Sequence, residues 1–229
     1  GLSKGLAEEV SEGKAALLLN ASGQLERVLA IVVLRLQRGD GSLFVQLCSW
    51  NGAHSIPDCQ LPAARILEDE QIGTSLRRLL ATKLPVLREH VCCCSVRSEV
   101  MVQPSKKYGI DTKYLRSECL ASLVGKFDAP AGFFTAEELC QPVRSTPTGW
   151  TTGRFSSTSS SPMLERLRQH PVLYFGDQDR GSFYTWLRPS DFEHLSGSSG
   201  EADLRAWTSS LAPPLNAHQD HSSDECMSI

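Results

Sequence analysis

The sequence predicts an α/β fold: a mixed sheet sandwiched by helices, followed by a Ser/Thr-rich linker, a small α+β element and a disordered tail. Three observations predict it. The run Val28-Leu29-Ala30-Ile31-Val32-Val33-Leu34 is continuous and rich in β-branched residues, the pattern of a strand buried on both faces. Ile72, Leu76, Leu79, Leu80 and Leu84 recur at helical spacing and stop at Pro85. Between Ser145 and Ser161, 11 of 17 residues are Ser or Thr, so no core forms there and the apolar residues must be concentrated on either side.

Taken in order, Leu6, Val10 and Ala15 to Leu19 lie among charges over residues 2–18, which predicts a helical lead-in within residues 1–23. The domain proper is expected over 24–143. Its central strand follows Arg27, and Arg38-Gly39-Asp40-Gly41-Ser42 supplies the turn into a second strand, Leu43 to Cys48. Asn51 to Asp58 reads as a loop, and Ile72 to Leu84 as an amphipathic helix. His90 to Val102 and Thr112 to Leu123 read as two further strands joined by the polar loop Gln103 to Gly109. Phe133-Phe134-Thr135-Ala136-Glu137-Glu138-Leu139 reads as a helix start, with Thr135 and Glu138 as a capping box. Residues 144–161 are the linker. Residues 162–195 hold a helix and a hairpin, Val172 to Phe175 with Ser182 to Leu187, a piece too small to fold alone. Residues 196–229, rich in Ser, Gly and Pro, are expected to be disordered.

Composition excludes several functions. A formal charge of −3 over 229 residues leaves no basic footprint for duplex nucleic acid. The apolar run Val28 to Leu34 is far short of the ~20 residues of a membrane-spanning helix. Residue 1 is Gly, and no charged segment with an apolar core follows, so the chain reads as a piece of a longer polypeptide without a signal peptide. Cys92-Cys93-Cys94 suits a reduced, cytoplasmic setting in which free Cys packs as a small hydrophobe in a strand. In that setting the sequon Asn20-Ala21-Ser22 is a coincidence.

Four features, in this order, resemble a Nudix domain: the hairpin Val32 to Leu36 with Phe44 to Leu47; Leu61-Pro62-Ala63-Ala64 where the family has Leu-Pro-Gly-Gly; an acidic turn before a helix carrying Leu76-Arg77-Arg78-Leu79-Leu80; and Phe133 to Leu139, similar to a block that often closes these domains. The resemblance covers roughly residues 24–143. It implies the motif G-x5-E-x7-R-E-U-x-E-E-x-G-U, whose glutamates hold divalent cations on a pyrophosphate. Hard Mg²⁺ needs oxygen ligands, and the metal both activates water and offsets phosphate charge. With Arg77 as the motif arginine, Asp69 is the first acid and Arg78, Ala81 and Thr82 replace the helix glutamates. With Arg78 as the arginine, Glu70 is the first acid and Leu79, Thr82 and Lys83 replace them. In both registers the metal ligands are lost.

The expected function is therefore a catalytically degenerate Nudix-like domain, without cofactor, that binds a nucleotide-like ligand or a protein. Candidate ligand-binding residues are Arg77 and Arg78 on the helix, and Lys106, Lys107 and Tyr108, which join charge to a stacking surface. One alternative is an active pyrophosphohydrolase in which the displaced acids Glu68, Asp69, Glu70 and Glu118 hold Mg²⁺ or Mn²⁺. The other is a regulatory tail that binds a partner protein through the aromatic element Tyr174 to Trp186. Plainer readings stand beside these: solvated loops for Glu68 to Glu70 and Lys106 to Tyr108, and an exposed basic helix face. A pairing of Cys59 with His54 or His90, and a loose soft-metal set of His218, His221 and Cys226, are further combinations that no family pattern supports.

Overall fold

The computed structural model describes residues 4–105, 107–124, 133–134 and 162–213. They divide into two units, one of Gly1–Phe44 with Leu61–Asp128 and one of Val45–Gln60 with Ala129–Ile229. Among the described residues no helix is long and apolar enough to cross a membrane.

In the first unit the lead-in is shorter than expected: Lys4–Ser11 is a helix (α1), but Ala16–Leu19 is a strand (β1). Gly13, at φ +64°, breaks the helix, donating to the Val10 carbonyl at 3.1 Å. The chain then turns at Asn20, whose side-chain oxygen accepts from the backbone of Ser22 and Gln24 at 3.0 and 2.9 Å. That turn brings β1 antiparallel onto Leu25–Gln37 (β2), with Ala16 opposite Val28.

The continuous apolar run is the middle of β2, and its burial on both faces is as expected, with Val32, Leu34 and Leu36 inaccessible. At the Arg38–Ser42 turn Gly41 takes φ +85°, and Gln37 faces Leu43 at the start of Leu43–Trp50 (β3). The expected loop 51–58 is instead half strand: Ser55–Gln60 (β4) pairs antiparallel with β3. A short strand, Ala63–Arg65 (β5), lies antiparallel to β2 with Ala63 opposite Val33.

The amphipathic helix is Ile72–Lys83 (α2), closed at Leu84 where Pro85 begins a single tight turn, as the spacing predicts. It packs Leu76, Leu79 and Leu80 toward β2 and β5. The two later strands are Val91–Pro104 (β6) and Asp111–Leu123 (β7). β7 runs parallel to β2 while β6 runs antiparallel to β7, so the sheet is mixed and β6 is its edge. That edge overturns one expectation: Cys92, Cys93 and Cys94 are exposed rather than packed. β6 is exposed along nearly its whole length, and among the described residues β7 is the one strand that pairs with it.

The second unit departs furthest from expectation. Val45 to Trp50 of β3 lies beside Gly181–Leu187 (β10), which hairpins with Val172–Gly176 (β9). Phe133–Phe134 is a strand (β8) on β9; the helix expected to start at Thr135, with its partner Glu138, and the linker 144–161 lie outside the described residues. Pro162–Arg168 (α3) and Pro189–Ser196 (α4) are followed by Glu201–Thr208 (α5), where a disordered tail was expected. Leu204, Trp207 and Leu211 form a helix-spaced apolar stripe that is buried, and the Ser/Gly content before it hides the signal. Gly200 is needed at this corner, since a Cβ there would stand 2.2 Å from the His194 carbonyl oxygen. The small element thus shares its unit with residues 45–60 and 198–213. Its aromatic side chains Tyr174, Phe183, Tyr184 and Trp186 are core, not free surface.

Candidate functional site

Residues 61–83 of the first unit carry the arrangement that the sequence marks out. The Pro62 carbonyl accepts from Leu34 at 2.8 Å, and Ile66 donates to Ala30 at 2.9 Å, so β5 is held along β2 as it leads to the acidic turn. In that turn Asp69 takes φ +60°, a left-handed conformation that Asp tolerates better than most residues. Glu70 closes it, accepting from the Leu67 backbone at 3.1 Å.

Arg78, two turns into α2, reaches back to this loop. Its Nε and Nη2 donate to the two oxygens of Glu70 at 2.9 and 2.7 Å, and Nη2 also donates to the Arg65 carbonyl at 2.6 Å. The pair is bidentate and charge-assisted. The hydrogen bonds from Arg78, and then from the Leu67 backbone, hold the Glu70 carboxyl down to about 2, while Glu70 in turn raises the Arg78 guanidinium. This ion pair spans the spacing from the motif's first acid to its arginine in the register that starts at Glu70.

In that register the remaining positions are filled as follows. Leu79 is buried against the sheet, and the Thr82 hydroxyl donates to the Arg78 carbonyl at 2.8 Å. Lys83 Nζ donates to the Ala63 carbonyl at 2.8 Å. Arg77 is exposed and bonds Thr74 Oγ1 at 3.2 Å.

The four displaced acids do not share one site. Glu70 is taken by Arg78. Glu118 lies between Arg116 and Arg35, at 3.5 and 3.7 Å, and Arg116 also holds Glu99 at 2.6 Å. Glu68 and Asp69 are exposed, Glu68 alongside Gly13. Among the described residues no three His, Cys, Asp or Glu side chains stand close enough to hold a metal ion. The donor set among the described residues does not fit the divalent cation that the resemblance implies: the Glu70 carboxylate beside α2 is paired with Arg78, and an ammonium donates to the Ala63 carbonyl.

Tyr108 and Lys107 belong to a second cluster, with Lys106 outside the described residues. Tyr108 Oη donates to Glu9 Oε1 at 3.2 Å, and Glu9 also accepts from Arg65 at 3.3 Å and from Arg27 through Nε at 3.0 Å and through Nη2. The Tyr108 ring takes the Arg27 guanidinium at 5.2 Å and Lys107 Nζ at 4.8 Å. Burial raises the Glu9 carboxyl, but hydrogen bonds and charge from Arg27 and Arg65 outweigh it and hold it below its ordinary value. Glu9 and Arg27 are the residues that sequence reasoning missed. The available signal was an arginine abutting the apolar run; its burial and its partner eighteen residues earlier are set by tertiary structure.

The Cys/His combinations receive no support. Cys59 is buried, which pushes its thiol up to about 12, the opposite of an activated nucleophile. His54 bonds Asn51 at 3.3 Å, and His218, His221 and Cys226 lie outside the described residues. In the second unit His194 Nε2 stands 3.0 Å from Asp203 and its Nδ1 3.5 Å from Ser199 Oγ, which ties α4 to α5.

No protein-family model matches the chain, and no curated protein does. Among solved structures it is similar to a Nudix hydrolase from Nitrosomonas europaea, at 12% identity and TM-score 0.38, over 84% of this chain and 97% of that one. It is also similar to a Nudix hydrolase from M. smegmatis, at 15% identity and TM-score 0.31 over 51% and 76%. A C. elegans Ap4A hydrolase is similar at 14% identity and TM-score 0.27 over 41% and 69%. The chain is thus similar to solved Nudix hydrolases, at identities that transfer no activity.

Proposed function

We propose that the chain is a Nudix-like binding module whose former metal helix carries its own cations, and that it recognises an anionic, nucleotide-like ligand without a metal. The observation that carries this reading is Lys83 Nζ on the Ala63 carbonyl. A divalent ion 4 Å from that ammonium would meet a repulsion of roughly 8 kcal/mol at an effective dielectric of 20, twice the figure for unit charges. Nor do Leu79 and Thr82 supply the carboxylate oxygens that Mg²⁺ needs to offset it. Arg77, Arg78 and Lys83 leave this helix basic, and Arg77 and Lys83 are exposed.

Calorimetric titration of the full chain with a panel of nucleoside diphosphate derivatives, in EDTA and in Mg²⁺ or Mn²⁺, tests the proposal, with phosphate release followed in parallel. The expected result is binding that survives EDTA, weakens in Arg77→Ala and Lys83→Ala, and is not followed by turnover. Metal-dependent turnover lost in Asp69→Ala or Glu70→Ala would overturn it in favour of a hydrolase built on displaced acids.

A further inference from the structure

Among the described residues β6 has one paired edge and one open edge. Fourteen residues long, it presents an outer row of backbone N–H and C=O groups with no strand beside it among the described residues, the feature that natural proteins usually shorten, charge or cover. The protective devices here sit at its ends: a bulge between Cys93 and Ser95, and Pro104. Between them the strand is regular, and around the charged pair Arg97 and Glu99 it exposes Val96, Val100, Met101 and Val102 by 46%, 60%, 38% and 54%. Leu115, the neighbour of Val100 on β7, is exposed by 40% and continues that patch.

We propose that a second copy of this chain covers the edge, its β6 running antiparallel to the first across a two-fold axis at Ser98. The charge pattern selects this partner and this register. Centring on Ser98 places Arg97 opposite the second copy's Glu99 and Glu99 opposite its Arg97, with Val96 opposite Val100 on each side. Centring on Arg97 or on Glu99 would place like charges face to face, which is destabilising. The axis also extends a row already present: Arg35, Glu118, Arg116 and Glu99 alternate in sign across β2, β7 and β6, linked at 3.7, 3.5 and 2.6 Å. The row ends on an acid at the open edge, half-exposed, where the second copy's Arg97 continues the alternation. The paired stretch, residues 96–100, lies clear of the bulge and of Pro104, so backbone bonding continues from one sheet into the other.

Sedimentation velocity of the full chain over a range of concentrations reads the association directly. Dimer formation is expected, and Ser98→Lys, which sets two ammonium groups face to face at an exposed position, is expected to weaken it about tenfold or more. A second measurement does not depend on that variant. In a background of Cys92→Ser, Cys93→Ser and Cys94→Ser, Ser98→Cys is expected to form a disulfide-linked dimer on mild oxidation, because directly opposed residues meet the required Cα spacing. Val96→Cys alone, about 14 Å from its own mate at ~3.4 Å per residue, is not expected to cross-link, whereas mixing it with Val100→Cys is. A chain that stays monomeric at every concentration would overturn the proposal and leave the edge to a different partner. So would a dimer indifferent to Ser98→Lys, or cross-linking as ready at position 96 as at 98.

Discussion

Lys83, in the last turn of α2, sets its ammonium nitrogen 2.8 Å from the carbonyl oxygen of Ala63, the first residue of β5. The contact spans twenty residues and puts a fixed positive charge at the place where the resemblance expects a glutamate and its metal. The motif of the resemblance places glutamates on this helix, whereas α2 carries no acid: Glu70, just before it, is paired with Arg78, and Lys83 donates to the Ala63 carbonyl.

Restoring the acids is expected to restore metal binding. In the double variant Thr82→Glu with Lys83→Glu, two exposed carboxylates replace a hydroxyl and an ammonium beside the Ala63 carbonyl. Mg²⁺ or Mn²⁺ at ten times its dissociation constant stabilises a protein by about 1.4 kcal/mol. Thermal unfolding with and without the metal is expected to show a rise for the variant and none for the parent chain.

The Glu70–Arg78 clamp is expected to be visible in acid. Because the Glu70 carboxyl is held down to about 2, the folded state binds its proton less readily than the unfolded chain does. Its contribution is therefore complete above the unfolded value of 4.5 and is lost as pH falls from there toward 2. Urea midpoints measured across that window should fall less steeply in Glu70→Gln than in the parent, and adding Arg78→Ala should leave that pH dependence unchanged, its further cost being the bond to the Arg65 carbonyl.

Glu9 holds α1 to the sheet through Arg27 and Tyr108. Glu9→Gln leaves the buried Arg27 without its carboxylate and is expected to cost about 2–3 kcal/mol, at the lower end because the Tyr108 ring still faces the guanidinium. Tyr108→Phe removes one hydroxyl bond and is expected to cost about 0.5–1.5 kcal/mol. Chemical denaturation followed by circular dichroism separates the two. Equal losses would mean that Arg27 has found other partners.

Trp207 tests whether residues beyond 195 belong to the fold. It is 1% exposed on α5, and Ser55 of β4 donates to the neighbouring Thr208 carbonyl at 2.6 Å. Trp207→Ala is expected to destabilise the second unit by about 3–5 kcal/mol. Hydrogen exchange at β4, β9 and β10 reads the loss, and unchanged protection there would show α5 to be an appendage.

The sequence by itself determined the features whose signals are local. The apolar run of β2, the 3.6-residue spacing of α2 with its stop at Pro85, and the Gly41 turn are each set by neighbours a few residues apart. The two candidate motif registers could also be written down from spacing alone, and the loss of the glutamates was legible in both. Tertiary structure decided the rest, because it depends on partners far away in the chain. The reach of Arg78 to Glu70 and that of Lys83 to Ala63 join residues that the sequence does not pair. Pairing made β6 an edge, so three cysteines that read as core face outward. Pairing with the β9–β10 hairpin likewise drew residues 45–60 into the second unit, whose core a Ser- and Gly-rich lead had concealed. Periodicity reports which side of an element is apolar. Only the strands and helices packed around it determine whether that side is covered, and by what.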